Sequence, residues 1–104
     1  MSLELYTLIA EDLAINHEVT QSHMFGKKCL KVNGKAFAAF HLEEMVFKLG
    51  KEWISKNTGK FPGAKNWDPS GKNRPMKDWL SVPAEYRDSW MELAVGSIKT
   101  IDQR

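Results

Sequence analysis

The residue types in this chain most readily turned to chemistry are His17, His23, Cys29 and His41. Zinc is held by close pairs such as C-x2–4-C or H-x3–5-H, because neighbouring ligands on one turn or hairpin pre-assemble half the tetrahedron. The spacings here are irregular and two of the four fall on different strand-like runs, so no metal site is expected. Cys29 sits among lysines, whose charge would favour a thiolate, but no second cysteine or motif accompanies it. It reads as a half-buried thiol. Gly71-Lys72 suggests a phosphate loop, yet that motif requires glycine at position 66 and serine or threonine at position 73. Asn66 and Asn73 stand there. No carboxylate pair is spaced as general acid and base, no Ser-His-Asp arrangement stands out, and Glu43-Glu44 reads as the solvated start of a strand. No catalytic residue and no cofactor are therefore expected, although a site assembled in space needs no local motif.

One loop concentrates reactive types. Asp68-Pro69-Ser70-Gly71 has the make-up of a type I turn: the carboxylate accepts from the backbone, proline presets φ, and glycine closes. Arg74 follows, and its guanidinium fork suits a planar acid, so a guanidinium contact to Asp68 or to another carboxylate is expected to order the loop. Trp67, Asp68, Lys72 and Arg74 form a candidate loop site.

The elements that must position these residues begin with a meander from Met24 to Leu49. Asn33-Gly34 tolerates positive φ and signals a two-residue hairpin. That turn pairs Val32 with Lys35, Leu30 with Phe37 and Lys28 with Ala39. Paired residues share a face, so Leu30, Val32, Phe37 and Ala39 face a core. Lys27, Cys29 and Lys31 then oppose it with Ala36, Ala38 and Phe40. Phe25 joins the core only if Gly26 absorbs a bulge. A third strand places Met45, Phe47 and Leu49 inward. Ala64 to Trp67 and Met76 to Val82 read as two further strands, with Leu80 and Val82 inward and Lys77 and Trp79 outward. The outer sheet face would show Phe40 and Trp79 among Lys27, Lys31, Lys48 and Lys77. A two-layer fold leaves such a face open, and a ring-and-lysine patch of this kind marks an interface.

Helices must cover the other side. Leu5, Ile9 and Leu13, with Tyr6 and Leu8, predict a helix over 3–16 capped by Ser2. His17 to His23 reads as a connector. Gly50 to Asn57 predicts a short helix stopped by Asn57-Thr58-Gly59. Pro83 opens the last helix, where Tyr86, Trp90, Leu93, Ala94, Ser97, Ile98 and Ile101 give the cleanest helical period in the chain. The order α-β-β-β-α-β-β-α predicts an α+β two-layer sandwich, an antiparallel sheet with helices on one face.

At 104 residues the chain suits one domain, 1–104. Its longest apolar run, Ala36 to Phe40, is far short of a membrane span. The N-terminus is acidic ahead of its apolar residues, unlike a secretory signal. One cysteine precludes an internal disulfide, so a cytoplasmic location is expected. The net charge of +2 is unevenly spread: −4 over residues 1–23, +8 over 24–77 and −2 over 78–104. The bland reading is a solvated, internally compensated surface.

Met24-Phe25-Gly26, the Asn-Gly hairpin, Phe61-Pro62-Gly63-Ala64, and the run from Trp67-Asp68-Pro69-Ser70-Gly71 through Arg74-Pro75-Met76 to Val82-Pro83 resemble the TfoX/Sxy N-terminal domain. YjbR/MmcQ-like proteins are a more distant likeness. The resemblance implies a two-layer α+β fold of the secretion-chaperone kind. It also implies a link to regulation of natural competence, exercised by full-length members that carry a second, C-terminal domain. It supplies no catalytic residues. The function expected is a small, non-catalytic protein-interaction or regulatory module, with a protein partner or a homodimer formed through the outer face. The alternative is a nucleic-acid binder using the lysines for phosphates and Phe40 or Trp79 for stacking. No membrane partner is expected.

Overall fold

Six strands and three helices follow one another in the computed structural model, which describes residues 2–102. They are α1 (Ser2–Asn16), β1 (Val19–Met24), β2 (Lys27–Val32), β3 (Lys35–His41), β4 (Glu44–Lys48), α2 (Lys51–Asn57), β5 (Lys65–Trp67), β6 (Met76–Val82) and α3 (Trp90–Asp102). One antiparallel sheet runs in the order β1-β2-β3-β4-β6-β5. The helices pack on one of its faces, giving the expected α+β sandwich with one more strand than expected. No described helix is long and apolar enough to cross a membrane.

The extra strand is β1, where a connector was expected. It pairs with β2 along its whole length, from Val19↔Val32 to Met24↔Lys27. As an edge strand it is largely solvated on both sides, so it lacks the apolar alternation that marks a strand in sequence. The turn that joins β1 to β2 is Phe25-Gly26, with φ of 54° and 75°. Phe25 therefore sits at a hairpin tip, 62% exposed, and Gly26 serves a tight turn rather than a bulge.

Asn33-Gly34 makes the expected two-residue turn, with φ of 53° and 75°, and Val32 pairs with Lys35. The register then departs from expectation. A β-bulge at Phe37 leaves Lys31 opposite Ala36 but Leu30 opposite Ala38 and Lys28 opposite Phe40. A bulge places two successive side chains on the same side, so Phe37 and Ala38 both enter the helix-covered core, and every later residue of β3 changes face. Ala39 turns outward. Phe40 turns inward and packs on Tyr6 of α1, ring centroids 5.4 Å apart. The gain is the burial of two large rings beneath the helices instead of one, and each buried aromatic contributes about 2 kcal/mol.

The helix side closes around Leu30, Phe37, Met45, Phe47, Leu80 and Val82 from the sheet, Tyr6, Ile9 and Leu13 from α1, and Trp90, Leu93, Ala94, Ile98 and Ile101 from α3. The α3 residues are those of the helical period. On α1, Leu8 is exposed and Ala10 takes its place. Ser2 lies within α1 rather than ahead of it. Two helix ends also differ. Beyond Asn57 the chain continues into a 3-10 turn, Thr58–Lys60, with Thr58 right-handed, so no left-handed residue stops α2. Pro83 opens a 3-10 segment, Ala84–Ser89, before α3 begins. Tyr86 in that segment donates its hydroxyl to the Pro62 carbonyl at 2.6 Å, which ties the chain before β5 to the last helix.

Candidate functional site

The outer face is built on small side chains. Cys29 of β2, Ala39 of β3 and Val46 of β4 form a floor on which the indoles of Trp67 and Trp79 lie, centroids 5.3 Å apart. Trp67 and Trp79 are only 2% and 7% exposed. Trp79 points outward as its place in β6 required, but the second indole, Met24, Ala36 and Met76 complete a small core around it. The expected bare patch is thus corrected in two ways: Phe40 belongs to the opposite face, and Trp79 is covered. Lys27, Lys31 and Lys48 are half-buried around the indoles, and Lys77 is exposed.

Alternation along β5 puts Trp67 on this face, next after Asn66, and the register is irregular between the two. Asn66 pairs with Leu80 and the next residue, Trp67, with Met76. The Asn66 amide fills the widened ladder, donating to the carbonyls of Lys77 and Trp79, each at 3.2 Å. From that edge the indole N–H of Trp67 donates to Nδ1 of His41 at 3.0 Å. An imidazole nitrogen that accepts a hydrogen bond is deprotonated, so His41 is the neutral tautomer with its proton on Nε2. Burial pushes its pKa down, Lys27 pushes the same way, and Glu44 opposes them.

His41 and Glu44 are partners across the β3–β4 turn and share the outer face. Ser81 of β6 stands opposite Val46 on that face. Its hydroxyl donates to Glu44 Oε1 at 2.7 Å. These three residues and Trp67 line a cleft of about 540 Å³, closed on one side by Leu42 and on the other by Gly71, Asn73 and Pro75 of the loop. The basic nitrogen of His41 is occupied by Trp67. A lone carboxylate is too weak a base to take the proton of Ser81, so Ser81 and Glu44 position each other rather than forming an activated nucleophile.

The loop is held by Asp68. Its Oδ1 accepts from Ser70 Oγ at 2.7 Å, Ser70 N at 3.1 Å and Gly71 N at 3.2 Å, and its Oδ2 from Arg74 N at 3.0 Å. Led by the Ser70 hydroxyl, these bonds hold the carboxyl below its ordinary range. Arg74 meets Asp68 through its backbone N–H, not through the guanidinium as expected. Of the candidate loop site, Trp67 and Asp68 enter the cleft wall, whereas Lys72 and Arg74 are exposed outside it. Among the described residues, no group of three or more His, Cys, Asp or Glu could hold a metal.

Sequence reasoning passed over Glu44, Ser81, Asn66 and the pairing of His41. The missing signal was the β3–β4 turn. Leu42 and Glu43 adopt φ of 54° and 62° without the Asn or Gly that announces such a turn. Had the turn been recognised, His41 and Glu44 would have fallen opposite each other.

Fold and site together describe an α+β protein with a half-open cleft at one end of its outer sheet face. A scan against protein-family models finds none that matches this chain, and a search of curated proteins likewise finds no match.

Proposed function

We propose that this chain is a small protein-interaction or regulatory module that binds a protein partner at the hairpin-tip end of the outer sheet face. One observation carries the reading. Phe25 and Leu42 stand at the tips of two hairpins, 62% and 81% exposed, and both hold a left-handed φ of 54°. That conformation costs a bulky L-residue about 1–2 kcal/mol. Exposed apolar side chains in a strained backbone are selected against unless something uses them, and such strain clusters at binding sites. Phe25 stands edge-on to Trp67, centroids 6.2 Å apart, and Leu42 walls the cleft. A partner side chain entering there meets a ring, an aliphatic wall, the Nε2–H of His41 and the Glu44 carboxylate.

The resemblance to the TfoX/Sxy N-terminal domain supports a regulatory role for such a surface, and a link to competence regulation belongs to the same proposal. Cytoplasmic action is part of it too, since a single buried thiol suits a reducing compartment. The nucleic-acid reading loses the two rings it named, since Phe40 lies under α1 and Trp79 is covered, and stacking would fall to Phe25 alone.

The test compares wild type with the Phe25→Ser, Leu42→Ser double variant. Proteins retained from lysate by wild type and lost by the variant support the reading, with the purified partner then titrated calorimetrically. Retention that ignores both residues overturns it. Oligonucleotide binding that weakens steeply with salt and survives the double variant would favour the alternative.

A further inference from the structure

The two edges of the sheet are not alike. β5 is three residues long, starts with Lys65 and is interrupted by an irregular register. Short, charged and distorted strands are how proteins blunt an edge. β1 at the other edge has none of these protections. It runs for six residues, Val-Thr-Gln-Ser-His-Met, with regular pairing throughout and no Lys, Arg, Asp, Glu or Pro. Every second backbone N–H and C=O of such a strand points away from its neighbour toward an unfilled position.

We infer that β1 is a self-pairing edge, through which two copies of this chain join antiparallel about a two-fold axis into one continuous twelve-stranded sheet.

The occupant is a second copy because β1 is complementary to itself. In an antiparallel pair, residues opposite each other share a face. In β1, Val19, Gln21 and His23 lie toward the helix side and Thr20, Ser22 and Met24 toward the outer side, as Val19 packs into the helix-side core and Met24 against the indole cluster. A two-fold that preserves these faces must centre on Gln21 or on Ser22, opposing that residue to its own copy. Both are donors and acceptors at once and can bond to themselves. Thr20 then meets Ser22 or Met24, and like charges meet nowhere along the strand. The flanks also agree in sign. Antiparallel pairing carries Glu18 of each copy, which lies in the −4 segment, toward the partner's β1–β2 hairpin, where Lys27 and Lys28 open the +8 segment. Isologous contacts of this kind close at two copies. This inference is distinct from the reading of the cleft: it rests on the backbone edge of β1, whereas that reading rests on the side chains of Leu42 and of Phe25, which directly follows β1.

Sedimentation equilibrium of the full chain tests it. Wild type is expected to rise from the monomer mass toward twice that value between micromolar and millimolar concentration. Gln21→Lys with Ser22→Lys opposes a lysine to its own copy in either register, at one exposed and one half-buried position, and should leave a folded monomer throughout. If the double variant unfolds, Gln21→Lys and Ser22→Lys taken singly provide the same comparison, one for each register. The Phe25→Ser, Leu42→Ser variant should still dimerise. A wild type that stays monomeric, lysine variants that all dimerise like wild type, or a dimer abolished by Phe25→Ser, Leu42→Ser would each overturn the inference. The last result would still leave the hairpin-tip surface as an interface.

Discussion

Trp67 Nε1 and His41 Nδ1 meet at 3.0 Å, joining a three-residue edge strand to a strand three positions away in the sheet. This bond lays the indole across the sheet, assigns the imidazole its tautomer and forms a corner of the cleft. The chemistry available at this end of the molecule depends on it.

His41 should titrate below the ordinary histidine value of about 6.5. Burial comes first among the causes and Lys27 second, so Lys27→Gln should raise the pKa and Glu44→Gln should lower it further. The fold favours the neutral imidazole, so its contribution is complete above the unfolded-state pKa. It is lost as pH falls below about 6.5 and the unfolded chain takes up the proton first, until the folded pKa is reached. A histidine NMR titration, with urea melts across the same range, checks both statements. A His41 pKa at or above 6.5 would contradict them.

Asp68→Ala should loosen the loop without unfolding the sheet. The carboxylate accepts four bonds from Ser70, Gly71 and Arg74 and is otherwise exposed. Amide hydrogen exchange at residues 70, 71 and 74 should accelerate, while β3 and β6 keep their protection. Asp68→Asn should show an intermediate effect, since a neutral amide oxygen accepts less strongly than a charged one.

Tyr6→Phe should stabilise the protein by about 1 kcal/mol. The Tyr6 hydroxyl is buried and has no hydrogen-bond partner among the described residues, and burial pushes its pKa up. Removing the group relieves its desolvation and leaves the ring on Phe40 in place. Phe40→Ala should instead cost about 3 kcal/mol. The cost would be much smaller if Phe40 faced solvent, so a pair of denaturant melts also tests the bulge.

Leu42→Asn should separate stability from binding. Asparagine tolerates the left-handed backbone that strains leucine, so the variant should be more stable by about 0.5–1 kcal/mol and bind a partner more weakly. A variant that melts earlier than wild type would show that the leucine side chain stabilises the turn.

What the sequence determined by itself was local. The Asn33-Gly34 turn, the strand Met76–Val82, the inward set Met45, Phe47 and Leu49, the spacing from Trp90 to Ile101 and the Asp68 loop each follow from neighbours within a few residues. Periodicity and turn chemistry act at that range. The tertiary structure alone decided that Phe40 lies under Tyr6, that Val19–Met24 is a strand, and that Trp67 crosses to His41. A bulge needs no special residue. It forms at Phe37 because inserting one residue there lets both phenylalanines of β3 reach the helices, a gain that exists only once α1 is docked. β1 carries no apolar stripe because, at the end of the sheet, its side chains stay at least partly solvated. The cleft is likewise a product of assembly: His41, Glu44, Trp67 and Ser81 come from four strands, and only the His41–Glu44 pairing across the β3–β4 turn is local in the chain.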